Sequence, residues 1–117
     1  MAIPKLTRGG VYLARLDPVK QGEVGKLRPV VVLTEQLLLD VEPPHVFISP
    51  LSSRSDAAYQ ALHVKLAARD NLHVESYALA EHCRSISVRR LQSERLAHFD
   101  DEEIAGIVHK LQRLIGL

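Results

Sequence analysis

This sequence is short of aromatic residues and of cysteine, and both shortages limit what the protein can be. Only 4% of its 117 residues are aromatic and none is tryptophan, so the core must consist mainly of Val, Leu, Ile and Ala. An extended platform of stacked aromatics for single-stranded nucleic acid is therefore excluded. Cys83 is the only cysteine, which excludes an intrachain disulfide and a zinc site built from several cysteines.

Long apolar runs and a strong net charge are also missing. No apolar run approaches the ~18 residues of a membrane span, and the first ten residues lack the apolar core of a secretory signal. A cytoplasmic location without membrane contact is therefore expected. The formal net charge is +1, so anion binding must come from locally clustered charges. We expect a single domain, 1–117, small enough for dimerisation to add usefully to its core.

Short apolar segments separated by polar turns predict a mainly β protein with a few short helices. The predicted strands span residues 11–16, 30–33, 46–49, 62–66, 76–79 and 84–86. Pro50 is expected to stop the third strand, and residues 88–96 are expected to form one short helix. Five or six such strands suggest a small, strongly bent antiparallel sheet or a partly open barrel.

The C-terminal segment has the clearest helical pattern. Asp100 can cap the helix and Glu103 stands at the capping-box position. Apolar residues follow at helical spacing, at positions 104, 107, 108, 111, 114 and 115. Gly116 fits the end of such a helix. We therefore expect an amphipathic C-terminal helix.

The stretch from Asp17 to Leu33 joins a charged, glycine-bearing loop to a buried strand. The loop carries Lys20, Glu23 and Lys26, and Arg28 stands where the strand begins. Two interpretations of this arginine stay open. It forms an ordinary ion pair with Glu23 or with the aspartate at position 17, or it holds a phosphate and stabilises charge that develops on it.

A second candidate group, Ser52-Ser53-Arg54, follows Pro50 at the end of a predicted strand. Serine favours turns, which is the plain interpretation. The functional interpretation is a hydroxyl that donates a hydrogen bond to a phosphate oxygen. No G-x-S-x-G motif surrounds these serines, so a nucleophilic serine of the hydrolase type is not expected.

Two further groups carry candidate chemistry. His82 and Cys83 suggest metal ligation or a thiol nucleophile, but neighbours in a strand point to opposite faces, so a buried structural cysteine is preferred. No metal-ligand spacing such as H-E-x-x-H appears. The second group is basic and consists of Arg84, Arg89, Arg90 and Arg95. These arginines form either a solvated face or a set of contacts with the phosphates of a nucleic acid.

Taken in order, these motifs resemble the MazF/PemK family of toxin endoribonucleases. The resemblance rests on RGGVYLARLDP, QGEVGKLRPVVVL, VFISPLSSR and ALAEHCRSIS, followed by the amphipathic helix. It spans Arg8 to Leu117, and the Glu-x4-Arg-Pro signature from Glu23 to Pro29 is its most specific part.

The resemblance implies a fold, a reaction and partners. The fold would be a small SH3-like β-barrel with short helices, usually a homodimer. The reaction would be sequence-specific cleavage of single-stranded RNA without a metal or other cofactor, in which the ribose 2′-hydroxyl attacks the adjacent phosphate. The products would be a 2′,3′-cyclic phosphate and a 5′-hydroxyl, and translation would stop. The partners would be messenger RNA and an antitoxin that blocks the RNA site.

By the same resemblance, Arg28 and Ser52 are the catalytic residues. Ser52 stands where the family has threonine, Gly10 where it usually has aspartate, and Glu81-His82 where it has Asp-Gln. The residues expected to contact RNA are Lys20, Glu23, Lys26, Ser53, Arg54 and His82.

A protonated arginine is a poor base, so we interpret Arg28 as a clamp on the phosphate's charge and Ser52 as a hydrogen-bond donor to it. The proton acceptor is left open among Glu23, His82 and water. Two other functions stay open as well. One is a non-catalytic toxin of the CcdB type, which shares the fold and poisons a topoisomerase, and the other is a relic that has lost activity.

Overall fold

A curled antiparallel β-sheet forms the centre of the protein in this computed structural model, which describes residues 5–16 and 26–117. The strands of the described part are β1 (Gly10–Arg15), β2 (Leu27–Val32), β3 (His45–Ser52), β4 (His63–Leu66), β5 (Ser76–Leu79), β6 (Arg84–Ser87) and β7 (Ala97–His98). They pair in the order β4-β5-β3-β2-β1-β7, and β6 also pairs with β3. The sheet curls into a half-barrel, which confirms the predicted mainly β, small-barrel fold.

Helices are few and mostly short. The α-helices of the described part are α1 (Gln36–Leu39) and α2 (Asp101–Leu114), and short stretches of 3-10 helix span Ala57–Leu62, Ala80–His82 and Val88–Arg90. No helix within residues 5–16 and 26–117 is both long enough and apolar enough to cross a bilayer.

Helix α2 begins as predicted from its capping box. The Asp100 carboxylate accepts a hydrogen bond from the Glu103 N–H at 2.8 Å, and the Glu103 carboxylate accepts one from the Asp100 N–H at 3.0 Å. Ile104 and Ile107 of α2 are buried. Val108 and Leu111 are partly buried against the cluster that contains these two isoleucines. The apolar residues at positions 114 and 115 are exposed, so the predicted apolar face packs on the sheet as far as Leu111.

Both faces of the sheet are covered where β1 and β2 pair. Val30 and Val32 pack into one buried cluster together with Tyr12. Val31 points to the opposite face, into a cluster that includes Phe99 and the buried residues of α2. The three valines have no exposed surface, which confirms the prediction of a strand buried on both faces.

The prediction that β3 stops at Pro50 is wrong. The strand continues to Ser52, and Pro50 lies opposite Val30 of β2. On its other side β3 pairs with β6 up to Ile48 and with β5 from Leu51 onward. The proline therefore lies where β3 changes partner, and a break in the ladder tolerates a residue without an N–H.

The helix predicted over residues 88–96 is also wrong. Only Val88–Arg90 forms a helical turn, and Leu91 bridges to Ala14 of β1. The Gln92 N–H donates to the Leu13 carbonyl and the Leu96 N–H to the Val11 carbonyl, each at 2.8 Å. Pairing with the edge of β1 thus satisfies the backbone groups that helical bonds would have used.

Candidate active site

An open cleft of about 580 Å³ lies at the C-terminal end of β3. Two register pairs bring its walls together, since Ser52 of β3 lies opposite Tyr77 of β5, and Leu79 of β5 lies opposite His63 of β4. The cleft is lined by Ser52, Arg54, Ser55, Asp56, Tyr59, His63, Leu79, Glu81 and His82. Three of the predicted site residues, at positions 52, 54 and 82, therefore line the same cleft.

The hydroxyl of Ser52 has its oxygen engaged and its proton available. Its Oγ accepts a hydrogen bond from the backbone N–H of Arg54 at 3.1 Å. This is the turn that the plain interpretation foresaw, and it leaves the hydroxyl hydrogen to donate elsewhere. Because Ser52 lines the cleft, an anion bound there can accept that hydrogen bond.

Arg28 is exposed on β2, near the end of the same ladder that carries Ser52. The β2–β3 pairs run from Val32 opposite Ile48 to Val30 opposite Pro50. Arg28 and Ser52 each lie two residues beyond that last pair, and a strand repeats its facing every two residues. The register therefore places the two residues on neighbouring strands with the same facing, and of the two it is Ser52 that lines the cleft.

The ion pair predicted for Arg28 involves partners outside the described residues. None of the ion pairs formed among residues 5–16 and 26–117 involves this arginine. Its two predicted partners, Asp17 and Glu23, lie outside the described residues, as does Lys20. Lys26 and Ser53, which the resemblance assigned to RNA contact, are exposed but do not line the cleft.

A chain of hydrogen bonds that the sequence analysis missed crosses the floor of the cleft. Ser55 Oγ lies 2.8 Å from His63 Nδ1, and His63 Nε2 lies 2.6 Å from Glu81 Oε2. The imidazole is 2% exposed and the carboxylate side chain 14%. In the sequence, His63 alternates with apolar residues in β4, as a solvent-facing polar residue would. Its burial could therefore not be predicted without knowing that Ser55 and Glu81 lie next to it in the fold.

Glu81 and His82 belong to the turn Ala80–His82 rather than to a strand, and both reach the cleft. The adjacent Cys83 is half-buried, and its Sγ lies 3.9 Å from the Leu79 carbonyl oxygen. Burial raises the pKa of the Cys83 thiol, against the opposing effect of a hydrogen bond with Ser49. A protonated thiol is a weak nucleophile, which favours the interpretation of Cys83 as a structural residue over that of a thiol nucleophile.

Two of the four arginines at positions 84–95 form hydrogen bonds within the fold, and the other two are exposed. Arg90 Nη1 donates to the carbonyls of Arg15 and Leu16 at 2.9 and 3.2 Å, and Arg95 Nη1 donates to Thr7 Oγ1 at 3.2 Å. These two arginines tie β1 and its flanks to the segment after β6. The other two members, at positions 84 and 89, are exposed and stand apart from the cleft lining.

Gly10, where the resemblance expects aspartate, occupies a crowded position. A Cβ atom there would lie 2.8 Å from both Thr7 Oγ1 and Tyr12 Cε2, and 2.9 Å from the Tyr12 hydroxyl. An aspartate would therefore require these neighbours to move.

Among the described residues, no group of three or more His, Cys, Asp or Glu side chains is arranged to hold a metal ion.

A model of a known protein family matches most of this chain. It describes the PemK-like, MazF-like toxin of type II toxin-antitoxin systems, and it matches residues 7–115. The chain is also 29% identical over 113 residues to the endoribonuclease MazF of Staphylococcus saprophyticus, an alignment that covers 96% of this chain and 92% of that protein.

Solved structures give the same answer for the fold. The crystal structure of MazE-MazF (form II) from Deinococcus radiodurans has a TM-score of 0.77 and 26% identity, and it covers 100% of this chain and 99% of that chain. MazF (form I) from the same organism has a TM-score of 0.74 and 28% identity, with 100% of both chains covered. The half-barrel and its C-terminal helix are therefore those of MazF proteins.

Proposed function

The chain belongs to the family of PemK-like, MazF-like toxins of type II toxin-antitoxin systems, and we propose that it is an endoribonuclease that cuts single-stranded RNA. One toxin domain, 1–117, carries the activity. The proposal extends to this chain what the name of its Staphylococcus saprophyticus relative states, endoribonuclease. Cutting is sequence-specific and needs no metal, and cleavage of messenger RNA in the cytoplasm stops translation.

The observation that carries this proposal is the position of Arg28 and Ser52 on neighbouring paired strands, with Ser52 lining the cleft. The arginine is exposed at the start of β2, and the serine presents a free hydroxyl proton at the end of β3. A fixed positive charge and an oriented donor are the groups that stabilise a phosphate as charge builds up on its oxygens. Arg54 lines the same cleft as Ser52 and adds a positive charge there.

In the reaction, the ribose 2′-oxygen forms a bond to phosphorus while the bond to the 5′-oxygen breaks. The products are a 2′,3′-cyclic phosphate and a 5′-hydroxyl. Arg28 stays protonated throughout and stabilises the pentacoordinate phosphorane, and Ser52 donates a hydrogen bond to one of its oxygens.

The remaining RNA-contacting residues are proposed to hold the flanking nucleotides. Ser53, Arg54 and His82 contact bases and sugar, as does Glu23. Lys20 and Lys26 pair with phosphates, so they set the affinity and its dependence on salt more than the rate of cutting.

The partners follow from the relatives. MazF of Deinococcus radiodurans is recorded in complex with MazE, and we propose that this chain likewise binds an antitoxin protein that covers the cleft. A homodimer is part of the proposal, because a chain of this size adds usefully to its buried core by pairing.

The test is incubation of the purified protein with a long, weakly structured RNA in EDTA. Discrete fragments that end in cyclic phosphate and begin with a 5′-hydroxyl support the proposal. The same RNA with 2′-O-methyl groups throughout is the matched control and should stay intact, since its attacking hydroxyl is blocked. Intact unmodified RNA, together with a stable complex between the protein and a topoisomerase, would favour the non-catalytic CcdB-type toxin instead.

A further inference from the structure

Two serines in the cleft have opposite hydrogen-bonding states. Ser52 Oγ accepts from the Arg54 N–H at 3.1 Å, so its proton is free to donate. Ser55 Oγ lies 2.8 Å from His63 Nδ1, and which of these two atoms donates depends on the tautomer of the imidazole. Glu81 decides that question.

Glu81 selects the tautomer because its carboxylate contacts the other ring nitrogen. An ionised carboxylate can only accept, and its Oε2 lies 2.6 Å from His63 Nε2. The proton of the neutral imidazole therefore resides on Nε2, and Nδ1 accepts the hydroxyl proton of Ser55. The lone pairs of Ser55 Oγ then face the cleft as acceptors, which makes this serine the counterpart of the donor Ser52.

Burial makes Ser55 more accessible from the cleft than the imidazole is. The side chain of His63 is 2% exposed, whereas Ser55 is half-buried and lines the cleft. Although His63 also borders the cleft, a ligand hydroxyl therefore reaches the serine more readily than it reaches the ring.

The carboxylate is well suited to stabilise a protonated imidazole. Glu81 Oε1 is buried and has no hydrogen-bond partner within residues 5–16 and 26–117. The one hydrogen-bond partner of the carboxylate in that part of the chain is His63. A positive charge on the His63 ring would lie next to the buried negative charge of Glu81. Coulomb attraction between two charges is stronger in the protein interior than in water.

We propose that Ser55, His63 and Glu81 form a proton relay that serves as the base of the cleavage reaction, an inference that rests on the proposed function. Ser55 Oγ accepts the proton of the attacking 2′-hydroxyl and gives its own proton to His63 Nδ1. Glu81 stabilises the resulting imidazolium. The 2′-oxygen bonds to phosphorus, the departing 5′-oxygen takes a proton from water, and the imidazolium returns its extra proton to solvent through Ser55.

In this scheme Ser55 is a catalytic residue, because it touches the reacting hydroxyl. His63 and Glu81 act through it, as proton acceptor and as positioning residue. The other charged or titratable side chains that line the cleft around the ring are Arg54, Asp56, Tyr59 and His82.

The first test needs no RNA. In the free protein, long-range proton–nitrogen NMR correlations of labelled histidine should show neutral His63 with its proton on Nε2. A proton on Nδ1 would mean that the ring donates to Ser55, which reverses the direction of the relay and overturns it.

The second test is kinetic. Ser55→Ala should lower kcat by about 100-fold or more with little change in KM, and Ser55→Thr should restore most of the rate because it keeps the hydroxyl. The exposed Ser93 supplies the matched control, Ser93→Ala, which should cut at the wild-type rate. Cleavage by Ser55→Ala at the wild-type rate would overturn the relay.

The pH profile separates a relay from a merely structural role. Since only neutral His63 accepts a proton, kcat/KM should fall on the acid side, and His63→Gln should lose that acid limb along with most of the rate. His73→Gln, at an exposed histidine, should keep it. An unchanged acid limb in His63→Gln would overturn the assignment. Where the wild type cuts no RNA, the proposed function fails and the relay's catalytic role falls with it, whatever tautomer the NMR spectrum shows.

Discussion

Arg69 holds Glu103 through two parallel hydrogen bonds, 2.7 Å from Nη1 to Oε1 and 2.6 Å from Nη2 to Oε2. The guanidinium also lies 4.6 Å from the centre of the Phe99 ring. Glu103 closes the capping box of α2 at the same time. One carboxylate thus joins the start of α2 to the segment after β4, and α2 packs against β4 and against the turn that carries Glu81.

Arg69→Ala should lower the free energy of unfolding by about 1–2 kcal/mol, because a charge-assisted bidentate pair and a cation–π contact are lost together. Urea denaturation measures this change in unfolding free energy, and the m-value of the variant should equal that of the wild type. Lys65→Ala is the control. Its pair with Glu75 is longer, at 3.6 Å, and both side chains are more than half exposed, so it should cost less than about 0.5 kcal/mol. Equal losses in the two variants would contradict the assignment.

The same pair predicts how stability depends on pH. The hydrogen bond with Arg69 holds the pKa of Glu103 below its usual value, against the opposing effect of burial. The folded pKa is thus lower than the unfolded value of about 4.3. The pair's contribution is complete above that value and is lost as the pH falls through the folded pKa. The difference in unfolding free energy between wild type and Glu103→Gln should therefore shrink below about pH 4, and a pH-independent difference would refute this.

The features predicted correctly from the sequence are those that local chemistry determines. The capping box of α2 needs only two residues three positions apart, and both of its hydrogen bonds are present. The strand Ser76–Leu79 has the predicted bounds. Val30 to Val32 form a strand buried on both faces, as a continuous apolar run without polar alternation indicates.

The features that were missed depend on partners far away in the sequence. Residues 88–96 have a helical pattern, but the edge of β1 binds their N–H groups. His63 alternates with apolar residues like a surface residue, and hydrogen bonds with Ser55 and with Glu81, 8 and 18 positions away, make its burial tolerable. Arg28 and Ser52 were proposed as one site through the family resemblance. Their positions on neighbouring paired strands follow from strand register, which residue chemistry does not encode.

Gly9 should be intolerant of any side chain. It has φ of +86°, and a Cβ would lie 2.4 Å from the Phe99 carbonyl oxygen. Its own N–H and carbonyl bind Val32 and Phe99, each at 2.8 Å, so the backbone cannot move away. Gly9→Ala should cost about 2–5 kcal/mol of unfolding free energy. Gly116→Ala is the control, with φ of +83° and no atom within 4 Å, and should cost about 1 kcal/mol. Thermal or urea unfolding that gave equal losses would contradict the clash.

Ser52→Thr should cut RNA at least as well as the wild type, whereas Ser52→Ala should lower kcat by about 10²–10³-fold. Threonine keeps the hydroxyl and adds a methyl group that restricts its rotamers, and alanine removes the donor while leaving the Arg54 N–H without its acceptor. Single-turnover cleavage of one RNA under excess enzyme measures the chemical step. A Ser52→Ala variant as active as Ser52→Thr would exclude the hydroxyl from the reaction.

Arg28→Ala should reduce cleavage by about 10³-fold or more, because the positive charge that stabilises the phosphorane is lost. The fold should survive, since the side chain is exposed and forms no ion pair within the part of the chain that the structure describes. Arg28→Lys should recover only part of the rate, since an ammonium group lacks the planar pair of donors. Arg113→Ala, at an exposed arginine in the last turn of α2, should cut at the wild-type rate with the same unfolding midpoint. If folded Arg28→Ala cut RNA as fast as Arg113→Ala, the phosphate would have to be held by other residues.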